Sequence, residues 1–281
     1  MNNITLKSQA ACFGGTVGFY EHDSLVCKST MQLAVYLPPQ AQSGAVPVLY
    51  FLSGLTCTPE NFITKAGAQQ FAAQHGLMLV VPDTSPRNTT TRNEDLDWDL
   101  GTGAGFYVDA TEPPWANNYQ MYSYIVEELP DLIATNFPAN MKRQGIFGHS
   151  MGGHGALVCG LRNPDMYRSI SAFAPIGAPM SCAWGQKALR SYLGEDQAQW
   201  AVYDASELVK NQQVPFPILI DQGAADAFLV DQLQPEILVA ACEGAGQQLD
   251  FRMREGYDHS YYFISTFMAD HLKYHAERLN G

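Results

Sequence analysis

One pattern constrains this chain above all others. A short run of β-branched or aromatic residues is followed by a Gly/Pro/Asp loop and then by a stretch with helical spacing, and the unit recurs. Met31–Leu37 and Val48–Leu52 read as early strands, punctuated by Pro38-Pro39 and Ser43-Gly44. Asn61–His75 has helical spacing at Phe62, Ala66 and Phe71 and stops at Gly76. Leu77–Val81 is continuously apolar, as a parallel strand buried on both faces would be. A helix is expected over 118–136, bent or restarted at Pro130, then a strand at Gln144–Phe147, a helix at Gly152–Asn163 and a strand at Ser169–Phe173. Strand Ile218–Ile220, helix Val230–Ala245, strand Leu249–Met253 and helix Tyr261–Leu279 complete the order. Such alternation predicts an α/β fold, with a mostly parallel central sheet and helices on both faces. No Pro/Gly/Ser linker interrupts it, so residues 1–281 read as a single domain.

Two segments depart from the pattern. Pro82–Trp115 is rich in Pro, Asn, Thr, Gly and Asp and has no sustained periodicity. An irregular excursion of that length inside a compact fold is usually functional, which places it over a site. A second irregular stretch lies near Pro175–Gln186.

Composition removes several classes of function. With 46% hydrophobic and only 16% charged residues among 281, the chain can bury a large core and is not disordered. Its longest strongly apolar run, Ala45–Leu52, contains Pro47 and falls far short of the roughly 20 residues of a membrane span. The start, Met1-Asn2-Asn3-Ile4-Thr5-Leu6-Lys7, lacks the basic-then-apolar order of a signal peptide, so a cytoplasmic location is expected. Acidic residues outnumber basic ones 28 to 16, giving a net charge of −12. That balance argues against nucleic acid or an anionic membrane as partner. It leaves room for a small anionic substrate held by local cations. The six cysteines are scattered without a C-x-x-C pair and read as reduced thiols.

The most informative residues are Phe147-Gly148-His149-Ser150-Met151-Gly152-Gly153-His154-Gly155. They contain G-x-S-x-G between an expected strand and an expected helix, the context in which a serine nucleophile is raised on a sharp turn. The glycines let neighbouring backbone approach the strained serine. Elsewhere the same residues would be a Gly-rich turn with an incidental serine. Ser150 is therefore the candidate nucleophile.

A serine hydroxyl is a weak nucleophile near pH 7 and needs a base that a carboxylate orients. In this topology the carboxylate follows the serine in sequence and the histidine comes last. His259, in Glu255-Gly256-Tyr257-Asp258-His259-Ser260, sits after a strand and before a helix, where a base can reach over the sheet edge. Its ordinary alternative is a loop residue capping the helix. His154 emerges on the helix behind the serine and is poorly placed. His271 and His275, one turn apart on the terminal helix, read as solvated surface groups, and no further ligand completes a metal site there. Asp226, after the turn Gln222-Gly223-Ala224-Ala225, has the best reach for the carboxylate. Asp221, inside its strand, and Asp231, at a helix entry, remain its competitors. Asp258 adjoins His259 and cannot easily orient its neighbour's ring. The oxyanion needs two converging N–H donors. Met151 supplies one and Leu55, in Ser53-Gly54-Leu55-Thr56-Cys57-Thr58, the other.

With these residues assembled, the chain resembles the S-formylglutathione hydrolase (esterase D) family of α/β-hydrolases. The resemblance runs nearly end to end and is carried by Ser53–Thr58, Pro82–Arg87, Gly103–Tyr107, Gly148–Leu157, Trp184–Ala188, Asp221–Gly223 and Gly256–Phe263. It implies the α/β-hydrolase fold and hydrolysis of the thioester S-formylglutathione to formate and glutathione, a step of formaldehyde detoxification. It further implies the triad Ser150, Asp226 and His259, donors at Leu55 and Met151, no metal or cofactor, a cytoplasmic enzyme and often a homodimer. Cys57 and Trp184 would then wall a narrow acyl pocket; a small buried thiol and a core or loop anchor are their plainer readings. Lys65, Arg87 and Lys187 are cations that an anionic leaving group could use, although surface solvation is the common role of each. The chain departs from the family pattern at Asn88-Thr89-Thr90-Thr91-Arg92, expected to border the cleft, and at Ala183 before Trp184. A broad small-acyl carboxylesterase, an acyltransferase of the mycolyltransferase-like branch and a non-enzymatic binding module are the competing readings.

Overall fold

The computed structural model describes residues 4–281. Nine strands form one sheet: β1 (Ile4–Cys12), β2 (Gly15–Ser24), β3 (Ser29–Leu37), β4 (Val46–Leu52), β5 (Met78–Pro82), β6 (Ala139–His149), β7 (Tyr167–Phe173), β8 (Ile218–Gly223) and β9 (Leu249–Arg254). Their spatial order is β1-β2-β3-β5-β4-β6-β7-β8-β9. The β1-β2, β2-β3 and β3-β5 pairs are antiparallel, and every pair from β5 to β9 is parallel. The mostly parallel α/β-hydrolase sheet expected from the sequence is thus present.

Among the central strands β5 is continuously apolar and β4 is interrupted only by Pro47. Every residue of β4, β5 and β8 is buried, because helices cover both faces. Pro47 is tolerated inside β4 because the register with β6 shifts between Pro47 and Val48 and pairing with β5 begins only at Val48. At the far edge, β1 and β2 were not foreseen. They join through Phe13-Gly14, whose φ angles of 47° and 74° fit a tight hairpin turn. Most of β1 is exposed, so it lacks the apolar alternation that betrays a half-buried strand.

Two expected helices differ in detail. The single helix over Asn61–His75 is two helices, Pro59–Lys65 and Ala68–His75, separated at Gly67, whose φ of 66° is open to glycine at little cost. The segment expected to bend or restart at Pro130 has a π-type turn over Tyr124–Glu128, upstream of the proline, and restarts as helix Leu129–Asn136. Pro130 lies in the first turn of that helix, where a missing N–H costs nothing.

The terminal helix spans Tyr261–Leu279 and packs across β6, β7 and β8. It also corrects one expectation: His271 and His275 are fully buried, not solvated. They belong to a polar row beneath the sheet. Asp221 Oδ2 faces His271 Nε2 at 3.4 Å. His271 Nδ1 and Ser171 Oγ are 2.8 Å apart, Ser171 Oγ and His275 Nε2 are 2.8 Å apart, and His275 Nδ1 meets Ser169 Oγ at 2.7 Å. Arg254 closes the Asp221 end with two contacts of 3.1 Å. Among the described residues no helix is long and apolar enough to cross a membrane.

Because β4, β6, β8 and β9 are parallel, the loops leaving Leu52, His149, Gly223 and Arg254 emerge on one edge of the sheet. In open α/β sheets that edge is where ligands bind.

Candidate active site

Ser150 is the single residue between β6 and the helix Met151–Arg162, with φ 59° and ψ −120°. A non-glycine residue in that region carries about 1–3 kcal/mol of strain, which the surroundings must hold. Here the Ser150 N–H donates to the Phe173 carbonyl at 3.0 Å, and its own carbonyl accepts from His154 N and Ile176 N at 3.0 and 3.3 Å. The glycines of the motif have a steric reason. A Cβ on Gly152 would stand 1.9 Å from the Leu52 carbonyl oxygen, and one on Gly148 would stand 2.1 Å from that of Gly152.

His259 and Asp226, 33 positions apart, come together on the loops after β9 and β8. His259 Nδ1 lies 2.5 Å from Asp226 Oδ2, and the Asp226 side chain has no exposure. The carboxylate also accepts from Gln222 Nε2 at 3.2 Å and from Phe228 N at 2.8 Å. With the carboxylate oxygen as acceptor, the imidazole holds its proton on Nδ1 and keeps Nε2 free to accept. Ser150 and His259 line the same cavity of about 310 Å³, together with Leu55, Cys57 and Trp184.

The rivals for these roles lie elsewhere. Asp221 is bound to Arg254 and His271; burial works against its carboxylate, but these two partners hold it below the usual range. Asp231 is exposed. Asp258 accepts from Ser260 N and Oγ, at 3.0 and 2.6 Å. His154 is buried against the Phe106 carbonyl at 3.0 Å, and burial pushes it down to about 4.

Leu55 sits in the loop after β4 and Met151 opens the helix behind the serine. Neither backbone N–H has an acceptor among the backbone hydrogen bonds of the described residues outside the regular elements. The Leu55 loop is pinned from behind. The Thr56 N–H donates to the Gly103 carbonyl at 2.8 Å, and the Cys57 carbonyl accepts from Thr84 Oγ1 at 2.6 Å and Arg87 Nη2 at 3.1 Å. Arg87 is itself clamped to the buried Asp83 at 2.8 and 2.9 Å. The Cys57 thiol lines the cavity, and burial raises its pKa, which keeps it protonated at neutral pH.

An aromatic wall faces this loop. Trp98 meets Trp184 edge-on at 5.6 Å, Trp184 meets Phe228 at 4.8 Å, and Phe228 meets the His259 ring at 5.1 Å. Trp98 comes from the long irregular excursion, which therefore does reach the site. Its departure from the family pattern does not: Asn88, Thr89 and Thr90 line a separate polar cavity of about 400 Å³, with Thr30, Gln32 and Asn117. The expectation that 88–92 borders the cleft is corrected accordingly. Thr89 is turned away by Glu94, which accepts from its N–H at 2.8 Å and its Oγ1 at 2.5 Å.

Sequence reasoning missed His149, Trp98, Phe228 and Tyr261 as lining residues. His149 is notable because its ring lies 4.4 Å from that of His259. Burial, and then the proximity of His259, push the His149 imidazole well below its ordinary range, so a neutral ring flanks the candidate base. Its position inside G-x-S-x-G was the available signal. Among the described residues no group of three or more His, Cys, Asp or Glu side chains is arranged to hold a metal ion.

A raised serine and an imidazole oriented by a carboxylate, lining one cavity, make a constellation for acyl transfer. Comparison with known proteins agrees with that chemistry. Residues 24–274 match the family model Esterase, described as "Putative esterase". The S-formylglutathione hydrolase of Mus musculus is 58% identical over 276 residues, and that of Bos taurus 56%, each alignment covering 98% of both chains. The structure of an S-formylglutathione hydrolase from Agrobacterium tumefaciens, 52% identical, superposes with a TM-score of 0.96 and covers 99% of this chain and all of that one. The chain belongs to the S-formylglutathione hydrolase family of esterases, on the α/β-hydrolase fold.

Proposed function

We propose that this chain hydrolyses S-formylglutathione to formate and glutathione, with Ser150 as nucleophile, His259 as general base and acid, and Asp226 as the residue that orients the imidazole. The observation that carries the proposal is the 2.5 Å contact between His259 Nδ1 and the buried Asp226 carboxylate, on the rim of the cavity that holds Ser150. Ser150 Oγ attacks the thioester carbonyl as His259 Nε2 takes its proton. The oxyanion is received by the N–H groups of Leu55 and Met151. Collapse breaks the C–S bond, and the thiolate leaves with the proton from His259. Water then attacks the formyl ester, giving its proton to His259, and formate departs as Ser150 recovers its hydrogen.

Cys57 and Trp184 serve as pocket walls in this reading. Formyl is the smallest acyl group, so overlap with the walls is what would exclude larger ones. The substrate is a small-molecule thioester, processed in the cytoplasm without nucleic acid, membrane or cofactor, and a homodimer is the expected assembly. The Trp98–Trp184–Phe228 wall favours a secondary activity on small aryl esters, since an apolar aromatic surface accepts such leaving groups. The test compares kcat/KM for S-formylglutathione, S-acetylglutathione and p-nitrophenyl acetate, with product analysis in added alcohol. The formyl thioester is expected to dominate and water to be the acceptor. Equal turnover of the acetyl ester, or transfer to the alcohol, would overturn the assignment. Ser150→Ala is expected to lower kcat by about 10⁴-fold or more.

A further inference from the structure

Glutathione brings two carboxylates and one ammonium to a chain whose own net charge is −12. Its recognition needs a cation that the protein has not already neutralised. Arg87 is clamped to Asp83, and Lys187 contacts Asp99 at 2.6 Å and Asp97 at 3.2 Å. Lys65 is different. It forms no ion pair among the described residues, and its ammonium lies 5.8 Å from the centre of the Tyr261 ring.

Its position is equally specific. Lys65 ends the helix Pro59–Lys65 and lines the Ser150 cavity beside Asn61, Ser260 and Tyr261. No Asp or Glu lines that cavity. Two further hollows open from the same lysine. One, of about 640 Å³, runs along Ser260, Tyr261, Tyr262 and Ser265, and the other, of about 260 Å³, along Thr58, Glu60, Asn61 and Thr64. Lys65 lines all three spaces, so a leaving group that departs from Ser150 past Tyr261 meets its positive charge.

We infer that Lys65, flanked by Asn61 and Ser260, forms the subsite that receives a carboxylate of the glutathione leaving group. This deepens the reading above and rests on a glutathione thioester being the substrate. Lys65 is a specificity determinant rather than a catalytic residue, because it touches the part of the substrate that does not react. Binding energy at a remote anionic group is felt mainly in KM when ground state and transition state share it.

The test measures KM and kcat of wild type, Lys65→Ala, Lys65→Arg and Lys65→Glu on S-formylglutathione and on uncharged p-nitrophenyl acetate. Binding of the unreactive S-methylglutathione to each is measured by calorimetry. In Lys65→Ala, KM for the thioester is expected to rise about tenfold relative to KM for the ester, as loss of a charged hydrogen bond implies. Lys65→Glu should raise it further, Lys65→Arg should restore most of it, and Kd for S-methylglutathione should follow. An unchanged ratio in Lys65→Ala, or an unchanged Kd, overturns the subsite. If wild type prefers the ester but binds S-methylglutathione through Lys65, the substrate assignment falls and the subsite stands. If wild type does not bind S-methylglutathione, the subsite falls.

Discussion

Besides His22, four imidazoles, His149, His154, His271 and His275, are buried among the described residues. Burial lowers the pKa of all four; His154 falls to about 4, and His149 and His275 lie well below the usual value. In the unfolded chain each would titrate near 6.5. Below that pH the unfolded state takes up protons that the native state refuses, so the stability is present above pH 6.5 and is lost as pH falls. Each histidine that stays neutral in the fold costs about 1.4 kcal/mol of stability at pH 5.5 and about 2 at pH 5.0. The three pushed furthest down, His149, His154 and His275, together remove about 4 kcal/mol at pH 5.5 and more below, against a total of roughly 5–15 kcal/mol for a typical protein. Unfolding near pH 5 is therefore expected. Urea denaturation followed by circular dichroism at intervals between pH 7.5 and 5.0 would measure the slope, which should approach about 4 kcal/mol per pH unit at the acid end. In His154→Gln the slope should fall by about 1.4 kcal/mol per pH unit, whatever the variant's stability at pH 7.5. A midpoint urea concentration that stays flat from pH 7.5 to 5.0 would refute the reasoning.

Asp226→Asn keeps the shape of the carboxylate but loses its charge and can present an N–H to His259; kcat should drop by about 10⁴-fold with the far-ultraviolet spectrum unchanged. Arg87→Ala removes the charge partner of the buried Asp83 carboxylate and one of the two donors to the Cys57 carbonyl. It should cost about 3–5 kcal/mol, roughly 10 °C in Tm, and should slow turnover by loosening the Leu55 loop. Gly152→Ala would place a methyl group 1.9 Å from the Leu52 oxygen, so loss of activity or of soluble expression is expected; a fully active enzyme would contradict the described turn. Trp184→Ala removes the middle of the aromatic wall and should raise KM for aryl esters more than for the formyl thioester in a steady-state comparison.

The parts of the fold legible in the sequence were those where one force dominates. Apolar runs marked β4, β5 and the Ile218–Ile220 half of β8 because burial on both faces favours apolar residues; Asp221 and Gln222 are buried in β8 with polar partners. Tyr261–Leu279 was bounded as observed because Ser260 caps it, accepting from Tyr262 N at 3.2 Å. Strand β1 was invisible because an exposed edge imposes no apolar pattern, and β2 because its buried positions include Gly15, Gly18, His22 and Ser24 rather than an apolar alternation. The burial of His271 and His275 was hidden for the opposite reason: only the distant Ser169, Ser171 and Asp221 make a buried polar face affordable. At the site, G-x-S-x-G and the order of Ser, Asp and His were sufficient to choose the residues that the fold brings together. Trp98 and the orientation of Asn88–Thr90 were not, since an irregular loop is placed by partners such as Glu94 and Asp83 that no local pattern reveals.

The polar row beneath the sheet has a direction. His271 Nε2 makes no hydrogen bond, but at 3.4 Å the charge of the Asp221 carboxylate favours the His271 proton on the nitrogen facing it, and every later member then gives toward Asp221 and receives from behind, back to Ser169. Five residues thus share one handedness of protons, set at the carboxylate. Removing that charge would not merely delete one link: it would release the whole file to point either way, turning a fixed arrow into a coin with two faces in the middle of the protein.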